Sequence, residues 1–512
     1  MKNNNSITYD IILIQPPLFS PNNKKLDLMD PASKIEFHYW HTMENKCGRL
    51  LGDLPVEASY GILSIASYLK SKGYSVKILD FHFEDFYKRK YESATITQED
   101  IEAELTKYNA TYFGISVMTI AENWANKITN FIRKVHNNSF IFWGGYYPTK
   151  NDETILKNNR NIDFIVRNEG EYTIKDLICK LNSDISNLSN VKSLSFLKDN
   201  KLFRTEDREI IHDLDSLPFL DYSLYEEKYQ PLIVPRIYTA RGCKNGCHYC
   251  TADNSAMKRT RQRSPKVVVD EIENVMKKYN KKFFVMGDLE FLLDADHSRQ
   301  ICEEIIERKL DVKWWCQVYP PRIEDNIVKL MKRAGNIQIA LGIESTNSDA
   351  LQEINKTMDS NITLNSCRTI KKYGIQIQAY IMIGLPGDTI ESTINTIKFV
   401  GNLIKENLID VTHISTMVAY PGTVLYRDSE KYNITLLNRD PNNYLMNCDF
   451  LGSGIPPYDT PNMTNMEIYC LWLFALAHCQ KLFKNKTDYE QNFSELYNEL
   501  GITNLSILNN LL

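Results

Sequence analysis

Cys243, Cys247 and Cys250 stand within eight residues of one another, in the run Arg241-Gly242-Cys243-Lys244-Asn245-Gly246-Cys247-His248-Tyr249-Cys250. Gly242 before the first thiol and Gly246 inside the loop let the backbone bend tightly around whatever the sulfurs hold. Three readings compete. Zinc would take the three thiolates and a fourth ligand, either His248 or a distant residue. The thiols could also be unrelated. In the third reading they hold a 4Fe–4S cluster, which usually takes four thiolates, so a loop offering three leaves one iron open to a further ligand. Zinc sites usually pair two C-x2-C elements, and no second pair exists here. Three thiols packed so closely in a Cys-poor chain argue against coincidence. The spacing favours iron–sulfur chemistry without closing the other two readings.

The elements that must position this loop come in two series. In residues 1–180, apolar runs at Asp10–Gln15, Val76–Phe81, Phe113–Met118, Phe140–Trp143 and Phe164–Val166 alternate with helix-length segments. The clearest segment, Tyr60–Lys72, places Ile62, Ile65, Ala66 and Leu69 at helical spacing, with Gly73 where a helix C-terminus is commonly capped. Such alternation predicts a parallel sheet covered on both faces, a doubly wound Rossmann-like α/β domain with ligands at the strands' carboxyl ends. Residues 18–56 form a long first connection rich in Asn, Asp and Lys, of a length that suits a lid or binding loop or a disordered segment. Residues 181–230 read as a linker with room for a small hairpin.

From residue 231 to 425 the alternation restarts. Strands are expected at Ile237–Thr239, Phe283–Met286, Val312–Val318, Ile337–Ile343, Ile375–Ile383 and Val411–Ala419, with a helix starting at Ser264-Pro265. Six strand–helix units suggest a complete or partial TIM-like (β/α)6 barrel with its site at the C-terminal strand ends, where the Cys loop falls. Residues 426–512 are expected as a C-terminal helical cap. Together with the 18–56 insertion, that cap, through Tyr469, Trp472 and Phe474, is where a substrate pocket would be sought, although the same aromatics suit a core.

Composition narrows the class. The 512-residue chain has a net charge of -4, 43% hydrophobic and 24% charged residues, an ordinary soluble balance with no electrostatic reason to bind nucleic acid or an anionic membrane. No apolar run reaches 18 residues, and Met1-Lys2-Asn3-Asn4-Asn5 lacks a secretion signal's apolar core, so a cytoplasmic protein is expected. The other cysteines (Cys47, Cys179, Cys302, Cys316, Cys367, Cys448, Cys470 and Cys479) read as small core residues, too sparse for a disulfide framework.

The Cys loop, including the aromatic Tyr249, resembles the CxxxCxxC signature of radical SAM enzymes. Leu341-Gly342-Ile343-Glu344-Ser345 resembles that family's "GIES" strand end, Ile383-Gly384-Leu385-Pro386-Gly387-Asp388-Thr389 its "GLPG(E/D)T" turn, and Tyr420-Pro421-Gly422-Thr423 its "YPGT". The resemblance implies a 4Fe–4S cluster on Cys243, Cys247 and Cys250 whose open iron chelates S-adenosylmethionine. Reductive cleavage would give a 5′-deoxyadenosyl radical, with an electron donor such as flavodoxin or ferredoxin. It also implies Tyr249, Asp288, Gln317, Glu344, Gly384 and Pro386 as S-adenosylmethionine contacts. A carboxylate at a strand end can bind hydroxyls or an ammonium group, and Leu385-Pro386-Gly387-Asp388 suits a type II turn.

The first domain resembles the cobalamin-binding domain found ahead of many radical SAM barrels. The residues carrying this are Gln15-Pro16-Pro17, Tyr60–Ala66, Gly114–Thr119, Trp143–Thr149 and Arg167–Glu171. The implied cobalamin contacts are Gln15, Pro16, Ser116, Thr119, Gly144, Gly145, Tyr146, Glu169 and Gly170. The DxHxxG motif that supplies an axial His in many cobalamin proteins is missing after the first strand. Asp80-Phe81-His82-Phe83-Glu84-Asp85 is a near miss after the second, so no His ligand to cobalt is expected, with His82 the exception to examine. The resemblance as a whole implies a cobalamin-dependent methyltransferase acting on an unactivated carbon of a small molecule or peptide. Radical rearrangement, cyclisation or oxidation without methyl transfer is the alternative.

Overall fold

Ile11, Ile12, Leu13 and Ile14 are all at most 2% exposed, a run without polar alternation that only a strand covered on both faces can accommodate. The computed structural model describes residues 7–18, 56–57, 59–92, 94–183, 188–252, 259–437 and 455–484. It divides into two contact units, the first ending at Pro235 and the second containing everything from Arg236 on.

In the first unit β1 (Ile7–Gln15), α1 (Tyr60–Ser71), β2 (Val76–Asp80), α2 (Phe81–Tyr87), α3 (Gln98–Leu105) and β3 (Tyr108–Ser116) are followed by α4 (Glu122–Val135), β4 (Phe140–Gly144), α5 (Tyr146–Asn158), β5 (Phe164–Val166) and α6 (Gly170–Ser183). Gly73, at φ +89°, stops α1, and the amides of Gly73 and Tyr74 return to Lys70 and Leu69 carbonyls. The parallel strands lie in the order β2-β1-β3-β4-β5. The winding reverses between β1 and β3, so right-handed crossovers place helices on both faces and open a crevice at the carboxyl ends of those two strands.

The segment expected as a linker is built into this unit. β6 (Leu194–Lys198) pairs antiparallel with β5, and β7 (Lys201–Arg204) with β6. Asp199 and Asn200, both at positive φ (51° and 61°), form the two-residue hairpin turn whose twist matches the strands. The hairpin covers the edge that β5 would otherwise expose.

The second unit runs β8 (Arg236–Ile237), α7 (Pro265–Tyr279), β9 (Phe283–Met286), α8 (Ala295–Glu307), β10 (Lys313–Val318), α9 (Asp325–Arg333), β11 (Asn336–Glu344), α10 (Ser348–Glu353), α11 (Ser360–Lys372), β12 (Gln376–Ile383), α12 (Ile390–Lys405), β13 (Val411–Thr416), α13 (Val424–Arg427) and α14 (Asn465–Lys484). The six strands of its main sheet are parallel and consecutive, β8 to β13. A winding that never reverses puts every crossover helix on one face, so the other face becomes the inside of an open six-unit barrel. On β12, Ile377, Ala379, Ile381 and Ile383 are at most 2% exposed, while Gln376, Gln378, Tyr380 and Met382 alternate with them half-buried on the inner face.

The expected C-terminal cap is corrected in its described part. Helix α14 packs against α12 and β13, and Trp472 Nε1 donates to the Ile414 carbonyl at 2.9 Å. It serves as the sixth outer helix. Trp472 and Phe474, at 0% and 1% exposure, are core rather than pocket wall, and Tyr469 stacks on Trp472. Residues 19–55, 438–454 and 485–512, which hold most of the proposed pocket segments with Cys47 and Cys448, lie outside the described residues. No described helix is long and apolar enough to cross a membrane.

Candidate functional site

The Cys loop is held at both ends and along its length. Asp288, just past β9 and 4% exposed, accepts from the Thr239 and Ala240 amides at 2.8 Å each and from the Thr239 hydroxyl at 2.6 Å. Both its oxygens are thus engaged by the stem of the loop, which this residue, expected as a ligand contact, helps to position. Asn245 Oδ1 accepts from Arg322 at 2.8 Å, and Asn355 Nδ2 donates to the Asn245 and Gly246 carbonyls at 3.1 and 2.9 Å. Gly242 and Gly246 bend at φ +94° and +67°. The His248 amide donates to the Ile354 carbonyl and the Leu425 amide to that of His248, while Nδ1 of the ring lies 2.7 Å from the Glu353 carbonyl. His248 therefore anchors the loop to the turn after α10.

All three thiols are half-buried. Burial pushes each upward, Cys247 to about 12, while the Lys356 ammonium pulls the other way on all three. A metal centre binding here would displace their protons. The Ala252 amide donates to Cys250 Sγ at 3.4 Å, a bond that strengthens if the sulfur carries negative charge. Among the described residues no three His, Cys, Asp or Glu side chains converge on a single-ion point. Three thiols on one pinned loop are a donor set that fits the cluster.

Glu344 ends β11 at a bulge, where the register with β12 shifts between Gly342 and Glu344, and takes φ +59°. Such strain at a non-glycine residue is characteristic of functional sites. Its Oε1 accepts from Tyr249 Oη at 3.0 Å and from Lys356 Nζ at 2.7 Å. Fold geometry thus joins Tyr249 of the Cys loop to Glu344, with a lysine that sequence reasoning missed. Nothing marks Lys356 locally: it is one cation in a polar stretch after α10. Gly342 makes room, since a Cβ there would lie 3.0 Å from both Glu344 Oε1 and Lys356 Nζ.

The remaining expected contacts lie on β10 and in the turn after β12. Leu385-Pro386-Gly387-Asp388 is a type II turn, with Gly387 at φ +84° and the Asp388 amide bonded to the Leu385 carbonyl at 3.1 Å. Asp388, pushed up to about 6 by burial, accepts from Ser345, Asn347 and Ser392, tying the turn to the end of β11. The Gly384 carbonyl accepts from Tyr458 Oη at 3.1 Å, and a Cβ there would lie 2.7 Å from Ile468, so that glycine serves packing against α14. Gln317, half-buried on β10, pairs in register with Ala340.

In the first unit the expected cobalamin residues all gather at the carboxyl edge. The Val117 amide bonds the Gly144 carbonyl at 2.9 Å, Thr149 Oγ1 donates to the Gly145 carbonyl at 2.7 Å, and the Asn168 amide donates to Thr149 Oγ1 at 3.1 Å. These bonds tie the loops after β3, β4 and β5 together. Gly145 sits at φ +110°, and a Cβ on it would lie 3.1 Å from the Val117 carbonyl. Ser116, Gly144 and Tyr146 are half-buried at this edge, Pro16 and Thr119 are buried, and Met118 is exposed. Gln15 is 3% exposed and turns its amide to the Pro16 carbonyl; Glu169 accepts from the Ile211 amide at 2.8 Å; a Cβ on Gly170 would lie 2.8 Å from Ile65. Those three stabilise the edge. His82 lies on the first turn of α2, after β2, one strand outside the switch point, and burial lowers its pKa.

A family model of the radical SAM superfamily matches residues 237–400, and one of the B12 binding domain matches residues 56–178. The chain combines a radical SAM domain with a B12-binding domain. The Cys loop, Glu344 and Lys356 of this radical SAM enzyme all fall within the first match, and the glycine-rich edge after β3, β4 and β5 falls within the second. The chain is 28% identical over 379 residues to an uncharacterized methyltransferase of Pyrococcus horikoshii, covering 73% of this chain and 79% of the relative. It is 26% identical over 390 residues to an anaerobic magnesium-protoporphyrin IX monomethyl ester cyclase of Rubrivivax gelatinosus, covering 72% and 67%. Its fold is similar to that of the radical S-adenosylmethionine methyltransferase TsrM from Kitasatospora setae, solved with cobalamin and a 4Fe–4S cluster bound (TM-score 0.67, 15% identity, 92% and 89% covered).

Proposed function

We propose that this radical SAM enzyme is a cobalamin-dependent methyltransferase acting on an unactivated carbon of a small molecule or peptide. The observation that carries the reading is the pairing, on one chain, of two different ligand edges. One is a pinned three-thiol loop beside the buried Glu344; the other is a glycine-lined crevice at the switch point of a β2-β1-β3-β4-β5 sheet. Cys243, Cys247 and Cys250 would hold the cluster, Tyr249 and Glu344 would orient S-adenosylmethionine, and Ser116, Gly144, Gly145 and Tyr146 would border cobalamin. The cofactors supply the one-electron cleavage of S-adenosylmethionine and the carriage of a methyl group; the protein supplies position and a fixed electrostatic environment. Asp288, Arg322 and Asn355 hold the thiols in place, and Glu344 offers an acceptor to an ammonium or hydroxyl group. The likeness to methyltransferases supports this reading. The likeness to a cyclase supports a second one, radical ring closure or rearrangement without methyl transfer. A cytoplasmic enzyme reduced by a flavodoxin- or ferredoxin-type donor accords with both.

The test uses anaerobically reconstituted enzyme, methyl-labelled S-adenosylmethionine, a flavodoxin reducing system and a small-molecule extract. Methyl transfer predicts 5′-deoxyadenosine, S-adenosylhomocysteine and a labelled product together. Deoxyadenosine with an unlabelled altered product selects the second reading. Failure to cleave S-adenosylmethionine overturns both.

A further inference from the structure

Resting on the reading of the Cys loop as a cluster site, we propose that Arg322 is the fixed counter-charge of the cluster and raises its reduction potential. Arg322 closes a stiff turn after β10. Pro320 and Pro321 restrict the backbone, and the Arg322 and Ile323 amides return to the Tyr319 and Pro320 carbonyls at 3.0 Å each. Ser366 Oγ also donates to the Pro320 carbonyl, at 2.8 Å. From this turn the guanidinium reaches two other segments. Nη1 donates to the Leu293 carbonyl at 3.1 Å, in the segment after β9, and Nη2 donates to Asn245 Oδ1 at 2.8 Å, between Cys243 and Cys247. The planar fork thus joins the ends of β9 and β10 to the Cys loop.

Both of those acceptors are neutral, and among the described residues Arg322 makes no ion pair. Its Nε is buried and has no hydrogen-bond partner among them. Other half-buried arginines of the chain are paired: Arg133 with Asp163, Arg208 with Asp176, Arg263 with Glu271 and Arg308 with Glu304. Glu290 does not fill that place for Arg322. Its two oxygens accept from the Leu292 and Tyr319 amides, at 3.1 and 2.6 Å, and burial pushes it up to about 7. A half-buried cation with an unpaired donor is unfavourable unless an anion joins it. A cluster on three thiolates is such an anion, and Asn245, which Arg322 holds, lies in the turn that presents them. Reduction takes one electron from a flavodoxin- or ferredoxin-type donor, makes the cluster more negative by that electron and requires no proton. A cation fixed beside the cluster favours the reduced form, since net charge and hydrogen bonds around the sulfurs set its potential.

The experiment is a redox titration of the reconstituted holoenzyme in the absence of S-adenosylmethionine, followed by paramagnetic resonance of the reduced cluster. Iron content and affinity for S-adenosylmethionine are measured in parallel. In R322Q the ratio of reduced to oxidised cluster at a fixed potential should fall about tenfold, a shift of about 59 mV for one electron. Iron content and cosubstrate affinity should stay as in wild type. R322K retains the charge and should recover most of the shift. An unchanged potential in iron-loaded R322Q overturns the proposal, and weaker cosubstrate binding at that unchanged potential would assign Arg322 to S-adenosylmethionine instead. If R322Q fails to load iron, R322K decides: a loaded cluster at the wild-type potential supports the proposal, and a lowered potential or a failure to load overturns it. A wild-type enzyme that holds no cluster would overturn the underlying reading.

Discussion

The two units of this enzyme are built from the same parallel strands and right-handed crossovers, yet one reverses its winding and the other never does. The first sheet, ordered β2-β1-β3-β4-β5, buries both faces, so ligands can meet it only along its carboxyl edge. That edge is made of backbone and small residues (Ser116, Gly144, Gly145), suited to a broad flat ligand. The second sheet runs β8 to β13 in order, with a half-buried polar inner face, and its carboxyl edge carries three thiols and the Glu344–Lys356 ion pair. Winding decides whether a site is an edge or a mouth. Side-chain chemistry then decides whether that site cradles a ring or holds a metal and a zwitterion.

The sharpest break in this comparison is a double dissociation between cofactors. Cys250→Ala should abolish cluster loading and cleavage of S-adenosylmethionine while leaving corrin absorbance intact, as checked by iron and cobalt analysis. Gly145→Val should do the reverse. It places a branched side chain at φ +110° against the Val117 carbonyl, and cobalamin affinity should fall at least tenfold, an effect of about 1.4 kcal/mol or more. Parallel loss of both cofactors in either variant would show that the two edges are not independent.

A smaller effect separates the units by pH. Burial raises Asp288 and Asp388 of the second unit to about 6 each. An unfolded aspartate titrates near 4, so between pH ~4 and ~6 the folded state retains protons that the unfolded state has released. Stability should therefore fall as pH rises through that window, by about 1–3 kcal/mol for each group, and level off above it. Asp388→Asn keeps an oxygen for its three local bonds, and Asp288→Asn keeps one for the Thr239 and Ala240 amides while its NH2 group faces the Thr239 hydroxyl. Both should flatten the slope seen in denaturant titrations. A slope that persists in both variants would place its origin elsewhere. The smallest expected change comes from Tyr458→Phe, which removes the bond to the Gly384 carbonyl and should cost about 1 kcal/mol of thermal stability with iron loading unchanged.

Much of this was legible in the chain. Apolar runs, glycine stops and the Cys spacing marked all the principal strands and the loop, because period and turn chemistry are local properties. What local pattern concealed was the use of each polar group. Asp288 and Gly384, read as ligand contacts, also hold the loop stem and the packing against α14, and within residues 181–230, read as a linker, β6 and β7 extend the first sheet. Helix α14 read as a cap, yet its burial makes it a wall of the barrel. Three thiols at their spacing, by themselves, marked a tight loop and favoured an iron–sulfur centre on it. Only the tertiary structure could decide which charges stand beside it. Tyr249, Glu344 and Lys356 are distant in sequence, and a buried charge is defined by neighbours that the fold alone brings within hydrogen-bonding reach.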